Sequence, residues 1–114
     1  MKERRRDIRL VEENKAVVSR MTGEIKPGSP AVYYSLTQDI SMGGVRIMTD
    51  APLERGERVR VDITLSRSRK RIRAGAEVRW VRELYEGEVF EAGLQFAGLD
   101  PDDEFALMDH IFGG

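Results

Sequence analysis

Short runs of alternating apolar and polar residues, separated by turn-forming residues, constrain the fold of this chain more than any other feature. The alternation is strict from Val59 to Leu65, which indicates a β-strand with one buried face and one wet face. Gly, Pro and Asp interrupt the runs, and these residues end strands and form turns. Strands are predicted near Lys15–Met21, Val32–Asp39, Val45–Thr49, Arg58–Leu65, Ile72–Glu83 and Val89–Phe96.

The connections between these runs indicate how the strands pair. All but one of the connections are short, whereas parallel strands need a crossover of about a dozen residues or more. Antiparallel neighbours are therefore expected. The sequence predicts an all-β domain, either a barrel or a sandwich, built from six strands.

A single helix is predicted at the C-terminal end, over residues 101–112. Asp100 is expected to cap it, and Pro101 suits the first helical position. An apolar stripe on this helix is predicted to pack on the β structure, because its members recur at three- and four-residue spacing. The stripe consists of Phe105, Met108, Ile111 and Phe112.

The pattern also assigns several single side chains to the core or the surface. Trp80 is predicted to be a large core residue of a strand. Tyr33 and Tyr34 are adjacent, so one is expected to point inward and the other outward. His110 is expected at the surface or half-buried on the terminal helix.

Length and composition exclude several classes of function. A chain of 114 residues suits one domain. With no cysteine and one histidine, a metal centre is not expected. Neither a signal-peptide core nor an 18-residue apolar run occurs, so we expect a cytoplasmic protein without membrane insertion. A non-catalytic role is expected, because the sequence contains no Walker loop and no nucleophile with a plausible base.

A cluster of arginines begins the chain, with Arg4, Arg5, Arg6 and Arg9 among the first residues. A guanidinium presents a fixed fork of donors that fits a phosphate or the O6 and N7 edge of guanine, and its flat face stacks on a purine. In an extended segment Arg5 and Arg9 point to the same side and could hold one ligand. Taken alone, a charge-rich terminus is more often a solvated tail.

A second polar signature, Asp39-x-Ser41-x-x-Gly44, lies where one predicted strand ends and the next begins. Asp, Ser and Gly form turns, so by itself the pattern indicates a hairpin turn. The same residues also suit a guanine. Asp39 can accept hydrogen bonds from the N1 and N2 donors of the base, Ser41 offers a hydroxyl, and Gly43 and Gly44 allow close approach of the backbone.

Taken together and in this order, the two signatures resemble the PilZ domain, a bacterial receptor module for cyclic di-GMP. The resemblance is carried by residues 3–9 and 39–45, and is supported by residues 53–56, 76–81 and 93–96. It implies a six-stranded antiparallel split barrel over residues 14–114, with the C-terminal helix. It also implies a flexible basic arm, residues 1–13, which wraps a ligand on the outer surface of the barrel.

The resemblance further implies the roles of the site residues. Arg5 and Arg9 are expected to contact phosphates and guanine edges, while Asp39, Ser41 and Gly44 hold the other side of a guanine, with Gly43 beside them. Arg4 precedes the first motif arginine, and family members with an arginine there tend to bind an intercalated ligand dimer. We therefore expect two molecules of cyclic di-GMP per chain. Arg6 is an accessory candidate.

Because the chain is a single domain, its signal is expected to pass in trans to an unidentified protein or through oligomerisation. The ligand would order the arm, and a partner protein would read the change. Two alternatives stay open: a small barrel that binds nucleic acid through the arm and the basic Arg67–Arg73 hairpin, or an interaction adaptor without a nucleotide. A pI near 5.9 argues against nucleic acid as the partner.

Overall fold

The computed structural model describes residues 8–21, 32–50, 52–85 and 87–113. Within these ranges the chain forms six strands followed by one helix. The elements are β1 (Leu10–Arg20), β2 (Val32–Ile40), β3 (Gly44–Thr49), β4 (Arg58–Thr64), β5 (Arg71–Tyr85), β6 (Val89–Leu99) and α1 (Pro101–Phe112). Each predicted strand is present.

The six strands close into a barrel in the order β1-β2-β3-β6-β5-β4. Every neighbouring pair is antiparallel, which confirms the expectation from the short connections. Closure removes the exposed edges that an open sheet would leave. The outer surface of the barrel therefore offers side chains, and not unpaired backbone, to a ligand.

The core follows the alternation that the sequence shows most clearly. Val59, Val61 and Ile63 of β4 are fully buried, while the residues between them face outward or are half-buried. Tyr33 is buried and Tyr34 is exposed, so the expectation of one inward and one outward tyrosine is confirmed. Burial raises the pKa of Tyr33 to about 12, and the charge of Glu57 adds to this shift.

The first strand begins at Leu10 and not at Lys15 as predicted. Leu10 and Val11 already pair with Ile40 and Asp39, and the register then shifts before Asn14. A bulge of this kind places two residues opposite one and interrupts the alternation. The interruption hid the start of β1 from the sequence pattern, and residues 10–13, which were expected in the arm, lie in the strand.

The prediction that Trp80 is a core residue is wrong, because its side chain is 41% exposed. Ala76 and Val78 are buried, so strict alternation would place Trp80 inside as well. The register of β5 against β6 shifts between Val78 and Trp80. This shift turns the indole to the outside of the barrel, where it lies against Gly93.

The helix has the predicted bounds, with Pro101 in its first turn, but its packing differs from the prediction. The Asp100 side chain makes no capping hydrogen bond. The buried helix residues are Leu107 and His110, and His110 contacts the Glu12 carboxylate. This polar partner on β1 explains why a histidine is buried. Of the predicted stripe, only Ile111 packs against the core, whereas three members are exposed: Phe105, Met108 and Phe112.

Two further observations concern the same described residues. The only helix among them, α1, is too short and too polar to cross a membrane. Within these ranges no three His, Cys, Asp or Glu side chains are grouped so that they could hold a metal ion.

Candidate ligand-binding site

The turn between β2 and β3 is a tight, internally bonded unit. The Ser41 backbone N–H donates to the Gly44 carbonyl at 2.9 Å, and the Gly43 N–H donates to Ser41 Oγ at 3.3 Å. The Ser41 side chain is buried. In this structure its hydroxyl therefore holds the turn together.

The two glycines of the turn have different surroundings. A Cβ built on Gly44 would lie 2.1 Å from the carbonyl oxygen of Leu94 on β6, whereas a Cβ on Gly43 would meet nothing closer than Ser41 Oγ at 4.0 Å. Glycine at position 44 is therefore required by the close approach of two strands. Gly43 instead leaves an open surface beside the turn, and its carbonyl accepts a hydrogen bond from the Phe96 N–H at 2.8 Å.

Asp39 faces the outside of the barrel because of a register shift in β2. Thr37 points inward and is fully buried, so regular alternation would place Asp39 inside as well. The register against β3 shifts between Thr37 and Asp39. This places Asp39 beside Arg46, its cross-strand partner on β3, on the outer surface.

The structure brings the two sequence signatures into direct contact. Arg9 Nη1 lies 2.5 Å from Asp39 Oδ1. The Arg9 side chain is 52% exposed, whereas that of Asp39 is 9% exposed. A fixed, nearly buried carboxylate thus meets a half-exposed guanidinium at the end of the N-terminal segment.

The second oxygen of Asp39 is held by Arg46, which the sequence analysis did not identify. Arg46 Nε donates to Asp39 Oδ2 at 2.8 Å, and this hydrogen bond raises the pKa of Arg46 above its ordinary value. Arg46 Nη1 also donates to Glu91 Oε2 at 2.6 Å, and Arg82 Nη2 donates to Glu91 Oε1 at 2.5 Å. Alternating charges therefore run across the sheet from Arg9 to Arg82 and fix the orientation of Asp39.

An exposed aromatic ring completes this face of the barrel. Gly93 of β6 pairs with Arg46 on one side and with Trp80 on the other. A Cβ on Gly93 would lie 2.1 Å from the Trp80 indole nitrogen, so the ring rests on the glycine backbone. Trp80 and Asp39 are three strands apart in one row, roughly 14 Å at ordinary strand spacing.

A groove lies on the other side of the β2–β3 turn. Its volume is about 960 Å³, and Ile8, Gly43 and residues of β6 and α1 line it. The exposed helix side chains Met108 and Phe112 form part of its wall. The groove therefore begins next to the end of the N-terminal segment and next to the open surface at Gly43.

The predicted site residues divide into two groups. Five of them lie together or along one turn: Arg9, Asp39, Ser41, Gly43 and Gly44. Arg4, Arg5 and Arg6 lie outside the described residues. Arg46 was missed because only the pairing of β2 with β3 brings it to Asp39, and Trp80 because the register of β5 shifts just before it. The only available signal was the place of Arg46 two residues after Gly44.

Three arginines of the basic Arg67–Arg73 hairpin have partners within the chain. Arg71 Nη2 lies 2.7 Å from Asp62 Oδ2, and Arg73 Nε lies 3.4 Å from the same oxygen. Arg67 donates to the backbone carbonyl of His110 and lies 3.9 Å from Glu12. These arginines act first as internal ion-pair partners.

A family model described as the PilZ domain matches residues 3–113, nearly the whole chain. The chain belongs to the PilZ domain family. The match covers both signatures, the barrel and the helix. No curated protein sequence matches the chain.

Solved structures of PilZ proteins have the same fold as this PilZ domain. The inhibitor of motility MotI/DgrA of Bacillus subtilis has a TM-score of 0.76 and 19% identity over 99% of this chain, which spans only 51% of that protein. The PilZ domain of YcgR from Escherichia coli, with c-di-GMP, has a TM-score of 0.68 and 16% identity, covering 93% of this chain and 87% of that one. The K. pneumonia MrkH–c-di-GMP complex has a TM-score of 0.67 and 22% identity, covering 94% and 50%.

Proposed function

We propose that this PilZ domain is a non-catalytic receptor for cyclic di-GMP. The observation that carries the proposal is the contact between Arg9 and Asp39, which joins the two signatures at one point on the outer surface of the barrel. The neighbours YcgR and MrkH, whose structures are described with c-di-GMP, support the same ligand.

The ligand would bind by partner exchange at Asp39. The N1–H and N2–H donors of a guanine replace the Arg9 guanidinium on the carboxylate, which already faces outward and is held on its other oxygen by Arg46. Arg9 is then free to donate to a phosphate or to the O6 and N7 edge of a guanine. The exchange breaks one set of charge-assisted hydrogen bonds and forms another of the same kind. Its net free-energy cost is therefore small.

Trp80 would supply a stacking surface for a second purine. Its ring is exposed and lies against the Gly93 backbone in the same row as Asp39 and Arg46. Stacking of a base on an aromatic ring contributes about 1–3 kcal/mol. The separation of roughly 14 Å, three strand spacings, suits a ligand with two bases.

The remaining arginines would act from the N-terminal arm. We infer that Arg4 and Arg5 contact phosphates, that Arg6 assists them, and that the arm becomes ordered when ligand binds. Two intercalated molecules carry four phosphates, and a third motif guanidinium suits that charge. The predicted stoichiometry is two molecules of cyclic di-GMP per chain.

The response would pass in trans to a partner protein in the cytoplasm. The groove beside Gly43 is lined by both Ile8 and the helix, so ordering of the arm changes a surface that such a partner can read.

Isothermal titration calorimetry with cyclic di-GMP tests the proposal. Wild-type protein should bind two equivalents, and Asp39→Ala should lower the affinity at least a hundredfold while its circular dichroism stays unchanged. One equivalent at saturation would refute the ligand dimer alone. No binding of cyclic di-GMP, combined with salt-dependent binding of RNA or DNA, would replace the receptor by the nucleic-acid alternative.

A further inference from the structure

Strand β2 carries apolar side chains on its outer face and polar as well as apolar side chains on its inner face. Its outward residues Val32, Tyr34 and Leu36 are 52%, 81% and 42% exposed. Its inward residues include Ser35 and Thr37, which are buried, and the Ser35 hydroxyl has no hydrogen-bond partner among the described residues. A strand on the surface of a soluble barrel normally has the opposite arrangement.

The neighbouring strands extend this apolar surface. Val17 of β1 pairs with Tyr34, and Met48 of β3 pairs with Leu36. We define the β2 patch as five residues on the outer faces of three strands: Val17, Val32, Tyr34, Leu36 and Met48. Four of them line a hollow of about 810 Å³. The patch is distinct from the ligand site, because Asp39 and its ion pairs lie at the other end of β2.

Two exposed charges of opposite sign lie at the rim of the hollow. Lys15 and Asp50 line it, and neither forms an ion pair with any described residue. The other rim charges, Asp62 and Arg71, already pair with each other at 2.7 Å. Among the described residues, the rim charges without an ion-pair partner are therefore one cation and one anion.

We propose that the β2 patch is the interface of a two-fold symmetric dimer of this chain. In a two-fold interface the same surface serves both copies, so it must be complementary to itself. The patch meets this requirement twice. It carries a protruding aromatic, Tyr34, beside a hollow that can receive the same side chain from the other copy, and it carries Lys15 together with a carboxylate that can meet it.

A partner of different chemistry fits these observations less well. An acidic or basic partner protein would call for free charges of one sign, and the patch has one of each. Contiguous exposed apolar patches on soluble proteins mark interaction sites, and homodimer interfaces are the more apolar class. This dimer goes beyond the proposed receptor function and does not depend on it.

Sedimentation equilibrium of the full chain tests the interface. Wild-type protein should show a monomer–dimer equilibrium, and Tyr34→Lys should weaken it at least tenfold. Phe105→Lys is the matched control, because Phe105 is another exposed aromatic, on α1 and outside the patch, and it should leave the equilibrium unchanged. Both variants should keep the wild-type circular dichroism and affinity for cyclic di-GMP.

A charge exchange tests the symmetry itself. Lys15→Glu alone and Asp50→Lys alone should each weaken the dimer, because each places like charges opposite one another. The two substitutions together in one chain should restore it, since every pair is then reversed. A monomeric wild-type chain, or a double variant no better than the single variants, would overturn the proposal.

Discussion

The two sides of the candidate ligand site are built in opposite ways. On one side, Asp39, Ser41 and Gly44 are buried and are held by backbone hydrogen bonds, by Arg46 and by the close approach of Gly44 to β6. On the other side, Arg9 precedes the first strand, is half exposed and has a single described ion-pair partner. The turn side is fixed by the fold, whereas Arg9, the described arginine of the arm side, is held by one exchangeable ion pair.

Because of this difference, substitutions on the two sides should affect different quantities: the free energy of unfolding on the turn side and the ligand affinity on the arm side. Residues of the turn side contribute to the barrel whether or not a ligand is present, so their substitution should lower the free energy of unfolding. Arg9 contributes one partly exposed ion pair, which stabilises a folded protein by no more than about 1 kcal/mol. Its substitution should chiefly affect ligand binding.

The largest effect is expected at Gly44. Gly44→Ala would place a Cβ 2.1 Å from the Leu94 carbonyl, and strands β3 and β6 must separate to accept it. We expect a loss of about 3 kcal/mol in the free energy of unfolding, measured by urea denaturation. Gly43→Ala is the matched control and should change stability by less than about 0.5 kcal/mol. Equal losses at the two glycines would contradict the assignment of Gly44 to the fixed side.

The arm side should show the converse behaviour at Arg9. Arg9→Ala removes the proposed ligand contact and is expected to weaken cyclic di-GMP binding about a hundredfold, which corresponds to roughly 2.7 kcal/mol. Unfolding by urea should stay within about 1 kcal/mol of wild type. A strongly destabilised Arg9→Ala protein with normal ligand affinity would contradict the assignment of Arg9 to ligand binding.

The fixed barrel should also respond to alkaline pH through Tyr33. Burial raises the pKa of Tyr33 to about 12, against about 10 in an unfolded chain. The neutral phenol therefore contributes stability that is complete below pH 10 and is lost between about pH 10 and pH 12, by roughly 2 kcal/mol. In Tyr33→Phe this part of the pH dependence should be absent. Identical urea midpoints for both proteins across that range would refute the shift.

A smaller effect is expected at Arg46, which touches both the fixed carboxylate and the charge network behind it. Arg46→Gln removes the Nε–H bond to Asp39 and leaves the carboxylate less well oriented. We expect about a tenfold loss of cyclic di-GMP affinity, roughly 1.4 kcal/mol. Arg79→Gln is a suitable control, because Arg79 is an exposed arginine that pairs only with Glu77 among the described residues, and its affinity should match wild type.

The sequence predicted the strands and their antiparallel pairing well, because alternating residues and short connections are compatible with few other folds. The errors on the strands share one physical cause. At Leu10 and Trp80 a register shift interrupts the period of two, and a pattern that assumes regular alternation then assigns the wrong start or the wrong face. The helix stripe failed for another reason, since His110 is buried by its contact with Glu12, a residue distant in sequence.

The candidate site could be predicted only in part. Asp39, Ser41 and Gly44 are close in sequence, and their types suit a turn and a guanine together. The partner of Asp39 on β3, Arg46, follows from the strand register, which a single sequence does not specify. The apolar residues of the outer face of β2 can be read from the sequence. The sequence alone does not show that this face points outward, so it could not indicate an exposed interface.

The central claim is that the arm and the turn form one site for cyclic di-GMP. Amide chemical shifts in a titration of the full chain with cyclic di-GMP test it most directly. We expect the resonances of Arg4 to Arg9 and of Asp39 to Gly44 to move together, with one binding curve, and both sets to stay still in Asp39→Ala. Movement of one set without the other, or shifts confined to the Arg67–Arg73 hairpin, would contradict it.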